Sequence, residues 1–156
     1  MSTKSGKEKR PAEAAKERKV KKACPAEELC RTYSKLHEEE ELLIGDIAYC
    51  EERIENPASE MEKQFFTRKH SELLEKKEKL SASLIVPMQI IETARLPMTE
   101  NQWAVINQLY IERLEWRDIK DSAGCIMSTW WVSDTRKRAF AVIDEVIAGC
   151  GEVAGD

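Results

Sequence analysis

Apolar side chains recur at alternating steps of four and three residues between positions 29 and 54 of this 156-residue chain. On an α-helix that spacing places them along one stripe, the seam through which helices pack in coiled coils. One acid, Glu40, falls in the series and is expected to weaken the seam locally. The repeat therefore predicts a long helix that needs a helical partner. The series consists of Leu29, Tyr33, Leu36, Glu40, Leu43, Ile47, Cys50 and Ile54.

A second helix is predicted directly after a short break. Pro57 disfavours helical geometry at Asn56 and removes a backbone donor, so the first helix is expected to end there. Ser59 can cap the next helix, with Glu62 three residues later completing a capping box. Two amphipathic helices with so short a connection predict an antiparallel hairpin, through which the chain is expected to form a homo-oligomer. The second stripe consists of Phe66, His70, Leu73, Lys77, Leu80 and Leu84.

Two prolines divide the chain further. Pro87 is expected to end or kink the second helix, because it lacks a backbone donor. A short apolar helix that carries Ile90, Ile91 and Leu96 is expected next, and Pro97 ends it. The predicted domains are a basic, disordered tail over 1–24, a helical hairpin with a linker helix over 25–96, a separate compact unit over 97–149 and a second tail over 150–156.

The compact unit begins with two amphipathic stretches. Thr99 and Gln102 form another capping-box pattern, which predicts a helix over the following residues. Its apolar face carries Trp103, Ile106, Leu109 and Tyr110. The next stretch, LEWRDIKDSAG, predicts a short helix that ends at Gly124, where a left-handed residue is easily adopted. Its inward side chains are expected to be Trp116, Ile119 and Ala123.

The final helix is predicted to begin after Ser128, its cap, and to end at Gly149. A rotation of about 100° per residue divides its side chains between two faces. The order of helix, short helix, turn and longer helix is that of a helix-turn-helix DNA-binding unit. The inward face consists of Val132, Thr135, Ala139, Ile143 and Val146, with Trp131 at its edge. The opposite face displays Trp130 beside Ser133, Asp134 and Lys137.

The displayed face has the chemistry of a DNA contact. An exposed tryptophan at the start of a recognition helix can cover a thymine methyl group or pack on a sugar. Thr129 and Ser133 offer hydroxyls to base edges or phosphates, and Lys137 can meet the DNA backbone. Arg117 and Lys120 belong to the preceding predicted helix, where that helix would cross phosphate. Alternatively, the tryptophan packs against the hairpin or another subunit, since aromatic residues are common at protein interfaces.

The segment from Glu72 to Phe140, a little under half of the chain, resembles the phage-encoded transcriptional regulators of the RinA and ArpU type. The matching motifs are NQWAVINQLYIERLEWRDI, the S-x-x-x-V of Ser128 to Val132 and the R-A-F that ends the basic run. Such proteins have a coiled-coil-like N-terminal part and an end similar to the fourth conserved region of bacterial sigma factors. The resemblance implies a helix-turn-helix that engages promoter DNA, often for late or packaging genes.

Site residues follow from the same resemblance. It implies that Ser128 caps the recognition helix and that double-stranded DNA is the partner. Arg136 and Arg138 are expected to flank the contact. The side chains that it places against the DNA are Thr129, Trp130, Ser133 and Lys137.

Charge is unevenly distributed along the chain, whose net charge is -4. Residues 1–22 hold nine lysines and arginines against three glutamates, and they are too poor in apolar side chains to fold alone. This tail is either a basic arm that contacts nucleic-acid phosphate or a solubilising extension. Residues 99–148 carry six cationic and eight acidic side chains. We therefore expect this unit alone to bind DNA weakly, with the arm or dimerisation adding the missing attraction.

No motif in the sequence indicates an enzyme. A glycine-rich phosphate loop, a nucleophile elbow and an H-E-x-x-H pattern are all missing, and the two histidines fit no catalytic triad. Five dispersed cysteines without a C-x-x-C pair predict reduced thiols, so neither a metal nor another cofactor is expected. No apolar run is long enough to cross a bilayer. We expect an all-α, cytoplasmic protein without a membrane partner.

Three functions fit these observations. The first is a phage or prophage transcriptional regulator with a basic arm, a hairpin for self-association and a helix-turn-helix for DNA. The second is a DNA-packaging subunit of the small-terminase kind, which combines the same parts in a ring. The third is an interaction protein whose helix-turn-helix contacts RNA polymerase or another protein, as the acidic balance permits.

Overall fold

Four α-helices dominate the structure, a computed structural model that describes the backbone of residues 24–155 and the side chains of residues 24–150. Apart from one isolated β-bridge, this part of the chain has no strand, which confirms the all-α prediction. None of its helices is long and apolar enough to span a membrane. The helices are α1 (Pro25–Glu55), α2 (Glu60–Arg95), α3 (Glu100–Ile106) and α4 (Thr129–Gly155). A π-helical turn (Asn107–Ile111) continues α3, and a 3-10 turn (Trp116–Asp118) precedes α4.

Both ends of the described chain differ from the predicted boundaries. The predicted basic tail lies outside the described residues except for Cys24, which is the N-cap of α1. At the other end, α4 continues through Gly149 to Gly155, so most of the predicted second tail is helical. Glycine costs a helix only about 1 kcal/mol relative to alanine, and no proline follows to stop it.

The first two helices run antiparallel, joined by a connection of four residues. Ser81 in α2 donates its hydroxyl to Glu40 in α1 at 3.0 Å, and nearer the connection Arg53 forms an ion pair with Glu62. Ser59 caps α2 as predicted, accepting the Glu62 N–H at 3.1 Å. The Glu62 carboxylate, however, accepts the N–H of Ala58 rather than that of Ser59. The buried seam includes Ile47, Cys50 and Leu73, with Leu43 and Phe66 packed against them.

Pro87 does not end α2, which excludes one of the two outcomes predicted for it, an end or a kink. The helix runs continuously over 36 residues, although proline supplies no N–H for the carbonyl four residues earlier. Burial explains the difference, because Ile91 and Ala94 pack into the protein core beyond the proline. That tertiary packing offsets a penalty of about 3 kcal/mol. Leu96 lies after the helix and is 86% exposed, so its predicted place on an apolar helix is also wrong.

The chain beyond position 97 shares its core with the hairpin and is not a separate unit. Ala26 and Cys30 in α1 are fully buried in one cluster with residues of α2, α3 and α4. The Ala26 N–H donates to the Asp144 carboxylate of α4 at 2.9 Å, which ties the start of α1 to the last helix. The other buried members of this cluster are Ala94, Ile106, Ala139, Phe140 and Ile143.

The predicted short helix over LEWRDIKDSAG is absent. Only the 3-10 turn forms, and the chain then reverses through a turn in which Gly124 adopts φ +90°. Lys120 and Ile126 pair across this turn as an antiparallel β-bridge. The Asp121 carboxylate accepts two backbone N–H groups within the turn, from Ala123 and Cys125, and such local bonds compete with helix formation. Of the three side chains predicted to point inward, Ile119 is buried, whereas Trp116 and Ala123 are exposed.

Replacing Pro87 by alanine should stabilise the protein. Alanine restores the missing helix hydrogen bond, and we expect the free energy of unfolding to rise by about 1–3 kcal/mol. Urea denaturation of Pro87→Ala measures this. Pro97→Ala is the control, because Pro97 lies outside the helices and its replacement should gain nothing. A Pro87→Ala variant no more stable than the parent would contradict the expectation.

The protein should also become less stable at alkaline pH, because the Cys30 thiol is buried. Burial raises the pKa of its thiol to about 12, from about 9 when exposed, and the neighbouring Cys24 adds to the shift. Above pH 9 the unfolded chain releases this proton and the folded chain keeps it, so the free energy of unfolding decreases by about 1 kcal/mol per pH unit. Urea denaturation between pH 8 and pH 11 tests this. Cys30→Ala should flatten the slope, whereas replacing the exposed Cys125 should not change it.

Candidate nucleic-acid interface

The N-terminal end of α4 is formed as the sequence predicts. Ser128 caps it: its hydroxyl accepts the Trp131 N–H at 3.2 Å, and its carbonyl accepts the Val132 N–H at 3.0 Å. Thr129 and Trp130 therefore occupy the first turn of a 27-residue helix. The positive end of the helix dipole and the uncapped N–H groups of this turn favour an anion at this position.

The two adjacent tryptophans have different surroundings, as predicted. Trp131 packs against a buried cluster of Val105, Ile119 and Val132. Trp130 is 74% exposed and belongs to none of the core clusters. The alternative in which Trp130 packs on the hairpin is therefore not observed within the described chain. Contact with another subunit remains compatible with its exposure.

Burial confirms the rotational setting of α4. Val132 is completely buried, and Thr135, Ala139 and Ile143 are buried below it, while Val146 is half-buried. Because these side chains fix the inward face, the side chains on the far side of the helix face solvent. The displayed face is thus held by packing over almost four turns and does not depend on its own contacts.

Around Trp130 the displayed face carries hydroxyls and charges. Thr129 and Lys137 are exposed, and Ser133 is half-buried. Lys137 lies two turns along the helix and only about 20° around from Trp130. Arg138 forms an ion pair with Asp134 at 3.2 Å, an exposed i,i+4 pair worth at most about 1 kcal/mol. Because this ion pair is weak, Arg138 can release Asp134 and bind an external anion instead.

Arg136 does not flank this face, and its predicted role in DNA contact is not supported by its position. Its guanidinium lies over the rings of Trp116 and Phe140, at 4.7 Å and 5.1 Å from their centroids. It also donates to the Tyr110 hydroxyl at 3.2 Å. Burial raises the pKa of Tyr110, and the hydrogen bond from Arg136 opposes that shift. Arg136 therefore joins α4 to the preceding segment.

Arg117 and Lys120 are exposed, but neither lies on a helix that crosses α4. Arg117 belongs to the 3-10 turn and pairs with Glu115 at 2.9 Å. Lys120 is in the β-bridge, and Gln108 holds its backbone from both sides: the Gln108 amide donates to the Lys120 carbonyl at 2.7 Å and accepts its N–H at 2.9 Å. Both cations are thus presented by an ordered loop before α4.

Two residues that sequence reasoning missed hold this loop in place. Gln108 clamps Lys120, as described above. Arg113, at φ +58°, donates to Glu41 of α1 at 2.6 Å and lies 3.4 Å from the ring nitrogen of His37. An arginine in the left-handed region is uncommon, and the ion pair with α1 helps to hold it there. No local pattern marks either residue, because their partners are distant in sequence.

The described residues offer groups suited to binding on the displayed face of α4. Among them, no group of three or more histidine, cysteine or acidic side chains is arranged to hold a metal ion. One groove on the hairpin holds the hydrogen-bonded pair of Ser81 and Glu40, and another is lined by acids, a lysine and leucines. What the displayed face offers is one large aromatic side chain, hydroxyls, cations and a helix N-terminus.

The two tryptophans give a matched test of this geometry. Trp131→Ala should lower the free energy of unfolding by about 2–4 kcal/mol, because it removes packing against the buried cluster. Trp130→Ala should change it by less than about 0.5 kcal/mol, since exposed side chains contribute little. Thermal or urea denaturation of both variants measures the difference. Equal losses would show that Trp130 is part of the core.

Comparison with known proteins assigns no function to this surface. No family model, curated protein or solved structure matches the chain.

Proposed function

We propose that this protein is a phage or prophage transcriptional regulator that binds double-stranded DNA with the first turns of α4. The proposal rests on one observation. Trp130 is 74% exposed, whereas Val132, two residues later, is fully buried. A large aromatic side chain held in solvent by a rigid helix has little value for folding. It has value for binding, because its apolar surface can be buried against a partner.

DNA suits the groups around Trp130. The indole would cover a thymine methyl group or a sugar, while Thr129 and Ser133 would bond to base edges or phosphates. Lys137 would contact the DNA backbone, and the N-terminus of α4 adds its own attraction for phosphate. The major groove is wide enough to admit an α-helix. The resemblance of residues 72–140 to RinA and ArpU regulators implies the same partner.

Strong DNA binding would need positive charge from outside the C-terminal segment. Residues 99–148 carry two more acids than bases, so phosphate neutralisation by this segment alone is small. The basic residues of positions 1–22 would supply part of the attraction, and a second copy of the chain would double the number of contacts. RNA polymerase is a further partner in this proposal, and the site of action is the cytoplasm.

The excess of acidic over basic side chains in residues 99–148 favours one alternative function, a protein contact. An exposed tryptophan on a surface with few free cations is also a good protein contact, because aromatic residues are enriched at interfaces. In that case α4 would bind RNA polymerase or another protein and no DNA. A packaging subunit of the small-terminase kind would bind DNA, but in a ring of eight or more chains.

Duplex DNA selected from a random pool by the full chain at low salt provides the test. Trp130→Ala should weaken binding to the selected duplex by about 1–2 kcal/mol, roughly 5- to 30-fold. Lys137→Ala should reduce the slope of log affinity against log salt by about one. Fluorescence anisotropy measures both. The matched control is Ile44→Ala, which removes an exposed apolar side chain from α1 and should leave DNA affinity unchanged.

Three results would decide between the candidates. If no duplex binds at about 50 mM salt, the protein-contact candidate is favoured. Binding with equal losses for Trp130→Ala and Ile44→Ala would remove α4 as the contact. A mass of eight or more chains in solution would favour the packaging subunit.

A further inference from the structure

One face of the hairpin carries apolar side chains without a partner. Leu42 and Tyr49 in α1 are exposed and lie seven residues apart, which places them on the same side of the helix. Phe65 in α2 is also exposed, and both it and Tyr49 contact the ring of Phe66. A groove of about 370 Å³ continues this surface between the helices. We call Leu42, Tyr49, Phe65 and the groove the aromatic face; the groove is lined by Glu39, Leu42, Leu43, Asp46, Lys76 and Leu80.

The charges of the aromatic face are separated by helix. From α1 come Glu39 and Asp46, and from α2 come Lys76 and, seven residues earlier, Lys69. None of these four has an ion-pair partner within 4 Å among the described residues. Over their full lengths, α1 holds ten acids and three bases, whereas α2 holds six acids and seven bases. Around the groove, therefore, the acids lie on α1 and the lysine lies on α2.

We propose that the aromatic face binds the same face of a second copy of this chain, with the two-fold axis parallel to the hairpin helices. That axis lays α1 of one copy on α2 of its partner, so that acids meet lysines and a four-helix bundle forms. Leu42 and Tyr49 then cover the partner's groove. A two-fold axis perpendicular to the helices would lay α1 on α1, acid against acid, which electrostatics disfavours.

The opposite face of the hairpin is less suited to pairing with the same face of a second copy. Its groove, about 600 Å³, is lined by Glu40 and Glu78 and by no lysine or arginine. A second copy would place these acids against acids. Nearby, Arg113 already reaches Glu41 from the C-terminal segment and covers part of the α1 surface.

This dimer would let two copies of α4 act together on DNA, and in that respect it rests on the proposed function. An axis parallel to the helices keeps the open ends of both hairpins at the same end of the bundle. Because α4 packs at that open end against Ala26 and Ala94, the two Trp130 surfaces lie at one end and can reach one duplex. The assay for pairing contains no DNA, so its result is independent of whether α4 binds DNA.

Charge exchange tests the pairing in the full chain. Asp46→Lys alone and Lys76→Glu alone should each weaken self-association at least tenfold, because each homodimer then brings two pairs of like charges together. An equimolar mixture of the two variants should associate as tightly as the parent, since both contacts in the heterodimer are again between opposite charges. Analytical ultracentrifugation of chains of 17.9 kDa measures this. If mixing restores nothing, the charges act only within one chain and the proposal fails.

A matched pair of apolar variants separates the two faces. Leu42→Glu on the aromatic face should convert the dimer to a monomer, whereas Ile44→Glu on the opposite face should leave the dimer intact. Both side chains are exposed, 64% and 47%, so folding should survive, as circular dichroism can verify. The reverse result, a ring of many copies, or a parent chain that stays monomeric would overturn the proposal. A monomer would leave the face to a different protein or to residues 1–23 of this chain.

Discussion

The close packing of small side chains where α4 meets the open end of the hairpin is the contact on which the rest of the structure depends. Ala26 and Cys30 from α1, Ala94 from α2 and Ala139 from α4 are all fully buried there. Small residues let three helices approach closely, and close approach maximises the dispersion contacts of each buried atom. The hydrogen bond from the Ala26 N–H to Asp144 fixes the position of α4 along this contact. The hairpin and the C-terminal segment are therefore one folding unit.

The same contact determines what the surface presents. Because Val132, Thr135, Ala139 and Ile143 are committed to the core, the rotation of α4 is set, and Trp130 has no inward position available to it. The burial that continues α2 past Pro87 contributes to this arrangement, since Ile90 and Ala94 lie in the same core region. The exposed tryptophan is thus a consequence of helix packing, and a binding function would use a side chain that is already in place.

Local signals in the sequence predicted a large part of this arrangement. The caps at Ser59, Thr99 and Ser128 form because each hydroxyl meets a backbone N–H only three residues away. The opposite fates of Trp130 and Trp131 follow from helical rotation alone. The helix predicted over LEWRDIKDSAG failed because periodicity was its only support. Asp121 and Gly124 favour a turn there, and Gln108 from the π-helical turn holds the backbone of Lys120.

By itself, then, the sequence determined the helical class, the two faces of α4 and the exposure of Trp130, because these depend on spacing within three or four residues. Only the tertiary structure decided that Arg136 lies between Trp116 and Phe140, that Arg113 pairs with Glu41, and that the proline in α2 is tolerated. The partners of those groups are many residues away, and the energy of burial or pairing depends on which surfaces meet. Periodicity shows which side of a helix is apolar, but it cannot show which distant side chain will cover it.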